Sequence, residues 1–173
     1  MAGNNYDISR VKSFIDAVFS IALTILILDI DIIDMRGQSI GTLLSEKMPQ
    51  FIGYVVSFFV IALFWASHVR NFKHCQHIDH KLIMVNLLNL FFLVLLPFST
   101  KLYVQNFTNG PAFMWYSFNI ALLGLMSTWI VIAMYPKNKS KTFNKYRKRQ
   151  YSLLGMSVFV IWGIAGLIGD IYP

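Results

Sequence analysis

Long apolar stretches alternate with short polar ones along this chain. Arg10 to Asp29, Phe51 to Ser67, Leu82 to Thr100, Ala112 to Tyr135 and Tyr151 to Gly169 each carry few or no charges, and about 20 such residues suffice to cross a bilayer as a helix. The pattern predicts an all-α membrane protein: one domain over residues 1–173, a bundle of five transmembrane helices. The first segment differs from the others. Its uncharged run, Ala17 to Leu28, is too short to cross ~30 Å of hydrocarbon, so a spanning helix must include Asp16. A carboxylate near the bilayer centre costs roughly 2.5–3.5 kcal/mol on insertion scales and normally faces protein or water.

Helical periodicity divides this first helix, expected from Asp7 or Ser9 to about Ile33, into two stripes. Ser13, Asp16, Ser20 and Thr24 form a polar one; Ile21, Ile25 and Leu28 form an aliphatic one beside it. One face should pack and the other should meet something shared. Asp34 to Met48 reads as an external connector with a short surface helix at Leu43-Leu44, and Pro49 as the first turn of helix two. Helix two ends in Phe64-Trp65-Ala66-Ser67-His68-Val69-Arg70, an interfacial finish that brings His68 near the membrane level of Asp16. In helix three, Asn86 and Asn89 share a side and read as glue to a neighbouring helix. Helices four and five, rich in Phe, Tyr and Trp, read as lipid-facing. The glycines of helix five, Gly155, Gly163, Gly166 and Gly169, leave room for a close neighbour.

Composition agrees with a membrane class: 56% of the residues are hydrophobic, 13% are charged, and the mean hydropathy is +0.56. The formal net charge of +7 would point to nucleic acid in a soluble protein, but its distribution excludes that reading. With the N-terminus in the cytoplasm, twelve of the fifteen Lys and Arg residues lie inside and only Arg36, Lys47 and Lys101 outside, the arrangement of a multi-pass cell-membrane protein. The basic loop Lys137 to Arg149 is placed to meet anionic lipid headgroups. His74, Cys75, His77, Asp79 and His80 sit close in sequence, but one compact run rarely wraps a tetrahedral metal, so they read as a solvated turn. Cys75 is the only cysteine, which excludes an intrachain disulfide. There is no GxSxG, HExxH or Walker loop, hence no expectation of an enzyme, metal or cofactor, and no TVGYG-type filter.

Arg10, Phe14 and Asp16, followed by Val18 to Asp29, resemble the signature first helix of the potassium channels called transmembrane protein 175. Phe64-Trp65 with His68 and Arg70, and Asn86-Leu87-Leu88 with Leu96 to Thr100, are similar to its second and third helices. The family's Arg-x-x-x-Phe-Ser-Asp motif appears here with Ile15 in place of serine, and the family has six helices per repeat against the five segments counted here.

The resemblance implies a homotetramer around a pore formed by helix one of each subunit, with potassium and other monovalent cations as permeants. It places the constriction at Ile21, Ile25 and Leu28, acting as a hydrophobic gate and selectivity element, with Thr24 as an adjoining selectivity-associated hydroxyl. Arg10, Phe14, Asp16, His68 and Asn86 become the structural motif, Asp16 being held by His68 or Arg10. Asp29, Asp31 and Asp34 from four chains would form a cation-concentrating vestibule. Two other readings compete: a proton-coupled carrier that titrates Asp16 and His68, and a non-conducting membrane adaptor.

Overall fold

The computed structural model describes residues 6–28, 40–73, 75, 77–134 and 145–171. Its regular structure is five α-helices: α1 (Ile8–Leu28), α2 (Ile40–Phe72), α3 (His80–Gln105), α4 (Gly110–Met134) and α5 (Lys145–Ile171). Among the described residues, four are long and apolar enough to cross a membrane: α1, α2 from Lys47 onward, α3 and α4. In α5 the charges Lys145, Arg147, Lys148 and Arg149 come first, and the apolar stretch described there includes Gly155–Ile168. The predicted all-α class therefore stands: among the described residues there are five helices, four of which meet the length and composition of a span.

Helices α2 and α3 both exceed their expected bounds. Over the described part of the predicted connector, from Ile40, there is no separate surface helix: α2 is continuous and carries Pro49 inside it. A proline removes one backbone bond from the ladder, and the good helix formers around it, Leu43, Leu44 and Met48, carry the helix through. Likewise α3 runs past Thr100 with Pro97 in its interior.

Helix α4 supports this second proline site. Asn119 takes the amide orientation in which its nitrogen donates to the Phe92 carbonyl at 3.0 Å and its oxygen accepts from the Leu96 amide at 3.2 Å and the Ser99 hydroxyl at 3.0 Å. One side chain thus satisfies the α3 backbone just before Pro97. We expect Asn119→Leu to lower stability by about 2 kcal/mol, the cost of leaving buried polar groups unpaired, read as a lower thermal midpoint of the purified protein in detergent.

The helices pack in a chain of neighbours: α1 lies on α2 and α3, α3 on α4, and α5 along α4. The expectation that α4 faces lipid is corrected. It is the most buried of the four spans, although Trp115 and Trp129 stay exposed. Uniform hydropathy does not separate the two environments, since lipid tails are as apolar as a protein interior. The signal lay in small residues. Ser117, Ala121, Gly124 and Thr128 repeat at helical spacing and are all buried. Gly124 and Thr128 meet Gly155, and Ser117 meets Gly166, so the close neighbour expected for α5 is α4. Gly163 has open space around it.

Polar groups join the layers internally. The hydroxyls of Tyr116, Ser57 and Thr100 form a buried series linking α4, α2 and α3, at 3.0 and 2.9 Å, and Thr100 lies 2.8 Å from the Leu96 carbonyl that can end it. Asn89 is the inter-helix glue its position suggested, donating to the Ser127 hydroxyl of α4 at 3.3 Å.

Candidate functional site

Helix α1 begins at Asp7, whose carboxylate accepts from the Ser9 amide at 2.8 Å and the Ser9 hydroxyl at 2.9 Å. These bonds, the hydroxyl's first, hold the Asp7 carboxyl below the usual carboxylate range. From this cap the helix turns one narrow face inward: Ile15, Phe19, Ala22 and Leu26 are buried against α2 and α3. Neither predicted stripe is the packing face. On the opposite side Arg10, Ser13, Ala17, Ser20, Ile21, Thr24 and Leu28 are all exposed in the protomer, Ile21 at 56% and Leu28 at 79%, while Ile25 is half-buried on the flank. The two stripes thus share the free side, and the missed signal is the spacing of Ile15, Phe19, Ala22 and Leu26 at four, three and four.

Two hydroxyls on that side, those of Ser20 and Thr24, are turned to the helix's own backbone. Ser20 donates to the Asp16 carbonyl and Thr24 to the Ile21 carbonyl, both at 2.9 Å. With its hydrogen used in this way, each oxygen keeps lone pairs that can accept from water or a cation.

Asp16 lies on the α2 flank. Its Oδ1 accepts a hydrogen bond from Trp65 Nε1 at 2.9 Å, so the partner is Trp65 rather than the expected His68 or Arg10. His68 is buried instead among aromatic rings, stacked on Phe72 with centroids 4.2 Å apart and tilted against Phe19 at 5.9 Å. Its Nε2 has no hydrogen-bond partner among the described residues. Asp16 and His68 do share the wall of one cavity. A bond to a carboxylate is worth about 2 kcal/mol. We therefore expect Trp65→Phe to lower the thermal midpoint by several degrees, and Asp16→Asn, which still accepts, to lower it less.

On the α3 flank the structure brings Arg10, Phe14 and Asn86 around a separate cavity of about 280 Å³. Asn86 is not inter-helix glue among the described residues: it donates to the Leu82 carbonyl of its own helix at 2.7 Å, and its buried oxygen has no partner there. Motif residues therefore sit on both flanks of the N-terminal half of α1, facing two helices. In the following turn Asp79 caps α3 by accepting from the Leu82 amide, and Cys75 is buried with Sγ 3.5 Å from the His77 carbonyl. His74, the proposed vestibule residues Asp29, Asp31 and Asp34, and most of the basic loop lie outside the described residues.

The segment holding these features is also the one that comparison identifies. A family model described as endosomal/lysosomal potassium channel TMEM175 matches residues 10–97, half of the chain. The chain belongs to this family. A protein of Streptomyces collinus named as a potassium channel is 36% identical over 97 residues, which is 56% of this chain and 47% of that one. The Bos taurus protein named endosomal/lysosomal proton channel TMEM175 is 34% identical over 111 residues, 59% of this chain and 23% of the relative. This chain thus spans about half the length of the Streptomyces relative and less of the bovine one. The crystal structure of a TMEM175 homolog from Chamaesiphon minutus, described as a lysosomal potassium-selective channel homolog, superposes with a TM-score of 0.80 at 20% identity, covering 94% of this chain and 89% of that one. At that identity the likeness shows the fold.

Proposed function

We propose that this chain is a subunit of a potassium-permeable cation channel: a homotetramer in the cell membrane, N-terminus in the cytoplasm, whose pore is lined by α1 of each subunit. The observation that carries the reading is the two-sidedness of α1. One narrow face is packed on α2 and α3, and the other, bearing Ile21, Thr24 and Leu28, is left free in a chain of a channel family. Fourfold repetition turns each such residue into a ring. Ile21, Ile25 and Leu28 form the hydrophobic gate, because a narrow aliphatic ring disfavours water and hydrated ions until it widens. Thr24, with its hydrogen bound to the Ile21 carbonyl, offers an oxygen acceptor beside that ring as the selectivity-associated group. Asp29, Asp31 and Asp34 supply a negative field at the outer mouth.

The permeant ion is part of the proposal, since one relative is named for potassium and the other for protons. A proton-coupled carrier is the second reading, favoured by the cavity that Asp16 and His68 share; against it stands the Trp65 bond that holds the Asp16 carboxylate. The adaptor reading requires no flux at all. The test is potassium flux in liposomes for wild type, Ile21→Asn and Ile25→Asn, with tetramer formation checked by cross-linking. Polar rings should raise flux roughly tenfold, equivalent to ~1.4 kcal/mol off a dewetting barrier. Unchanged or absent flux in assembled protein would overturn the gate. Proton uptake without potassium flux would select the carrier.

A further inference from the structure

At the inner end of α1 and α2, on the positive-inside reading, a cavity of about 210 Å³ is lined by Lys12, Asp16, His68, Val69, Phe72 and Lys73. Its polar groups come from both helices. Lys12 and Asp16 are one turn apart on α1, while His68 and Lys73 lie on α2 and just beyond it. The Lys73 amide still bonds the Val69 carbonyl at 3.0 Å, which continues the helical path and fixes where the side chain leaves the backbone.

We propose that this cavity binds the phosphate diester of a membrane phospholipid headgroup, with Lys12 and Lys73 as its cationic ligands. Three observations converge. First, the cavity brings lysines from two elements together, and the carboxylate on the same wall is already engaged, Oδ1 accepting from Trp65. Second, the charge fits: two lysines against one aspartate leave the walls one positive charge, the complement of a diester's single negative charge rather than the larger charge of a free phosphate. Third, the buried His68 Nε2 has no hydrogen-bond partner among the described residues, and its side chain forms part of this wall.

The location decides between a lipid and a soluble phosphate. Lys12 lies within the span of α1, one turn from its start, and Lys73 directly follows the last residue of α2. Both are at the level where long cationic side chains reach headgroups. A bound phosphate would bridge the proposed pore helix to α2 beside the Asp16–Trp65 bond. The binding does not depend on the channel reading, and its test uses no flux.

The experiment is thermal unfolding of the purified full chain in detergent, titrated with short-chain phosphatidylglycerol, with a short-chain diacylglycerol of the same tails, or with inorganic phosphate at the same concentrations. Phosphatidylglycerol should raise the midpoint by about 5 °C at saturation, as binding to the folded state requires, and the other two should not. Lys12→Gln and Lys73→Gln, which remove the charge but keep a polar side chain, should each weaken the response roughly tenfold, a loss of one charge-assisted contact. Lys12→Arg/Lys73→Arg and Lys47→Ala, the latter at the far end of α2, should keep it. A full response in the two glutamine variants overturns the site. An equal response to diacylglycerol shows tail binding, and an equal response to inorganic phosphate shows a soluble anion; either overturns the lipid assignment.

Discussion

Gly155→Ala should lower the stability of the folded chain by about 3 kcal/mol, at the upper end of overpacking costs, while Gly163→Ala on the same helix should leave it unchanged or slightly raised. A Cβ built at Gly155 runs into the Thr128 hydroxyl and stands 2.9 Å from the Gly124 carbonyl; one built at Gly124 stands 2.8 Å from the Gly155 carbonyl. The Thr128 side chain is itself held, since its hydroxyl donates to the Gly124 carbonyl at 3.0 Å. Two backbones are in contact here, so no side-chain rotation relieves the clash and the helices must separate. Their attraction in lipid comes from close packing, and separation loses contacts along the whole α4–α5 seam. At Gly163 nothing lies within 4 Å, so the methyl enters free space and helix propensity favours alanine by up to about 1 kcal/mol. Thermal midpoints of the two variants in one detergent decide the matter. Equal midpoints would mean that the seam is not the contact described.

The second large effect separates the two sides of α1. Phe19→Ala should destabilise the protomer by about 3 kcal/mol, within the range for emptying a buried phenylalanine site. Phe19 is 1% exposed and lies between the α1–α2 contact and the His68 ring, 5.9 Å away. Removing it forfeits dispersion contacts that no repacking of stacked His68 and Phe72 restores. Ile21→Ala, two residues on, should cost the protomer almost nothing because the side chain is more than half exposed. Any change it makes must appear in assembly or flux. The comparison is made with thermal midpoints of the purified protein in detergent alongside cross-linking for the proposed tetramer. A protomer destabilised equally by both substitutions would show that Ile21 packs within its own subunit.

The five helices were legible because spanning lipid leaves a long uncharged run in the sequence, with a hydrogen-bonded backbone as its necessary form. Asp16, His68 and Asn86 stood out in the sequence because polar groups are conspicuous in an apolar setting, whereas Arg10 and Phe14 joined them only through the family resemblance. The partners of the three polar residues were not legible. Asp16 took Trp65, His68 took two phenylalanine rings, and Asn86 bonded its own helix. Several neighbours at one membrane depth offer comparable hydrogen bonds, and only the rotation of each helix about its axis selects among them.

The order of packing was equally beyond the hydropathy pattern. In water the apolar face of a helix is the buried face, and periodicity reveals it. In lipid both faces are apolar, so α4 was read as lipid-facing when small residues had placed it between α3 and α5. The sequence by itself determined a helical membrane protein of this channel family and the residues with unusual chemistry. The tertiary structure decided which face of α1 is used for packing and which is left over, because in a bilayer that choice rests on steric fit between helices rather than on the difference between water and oil.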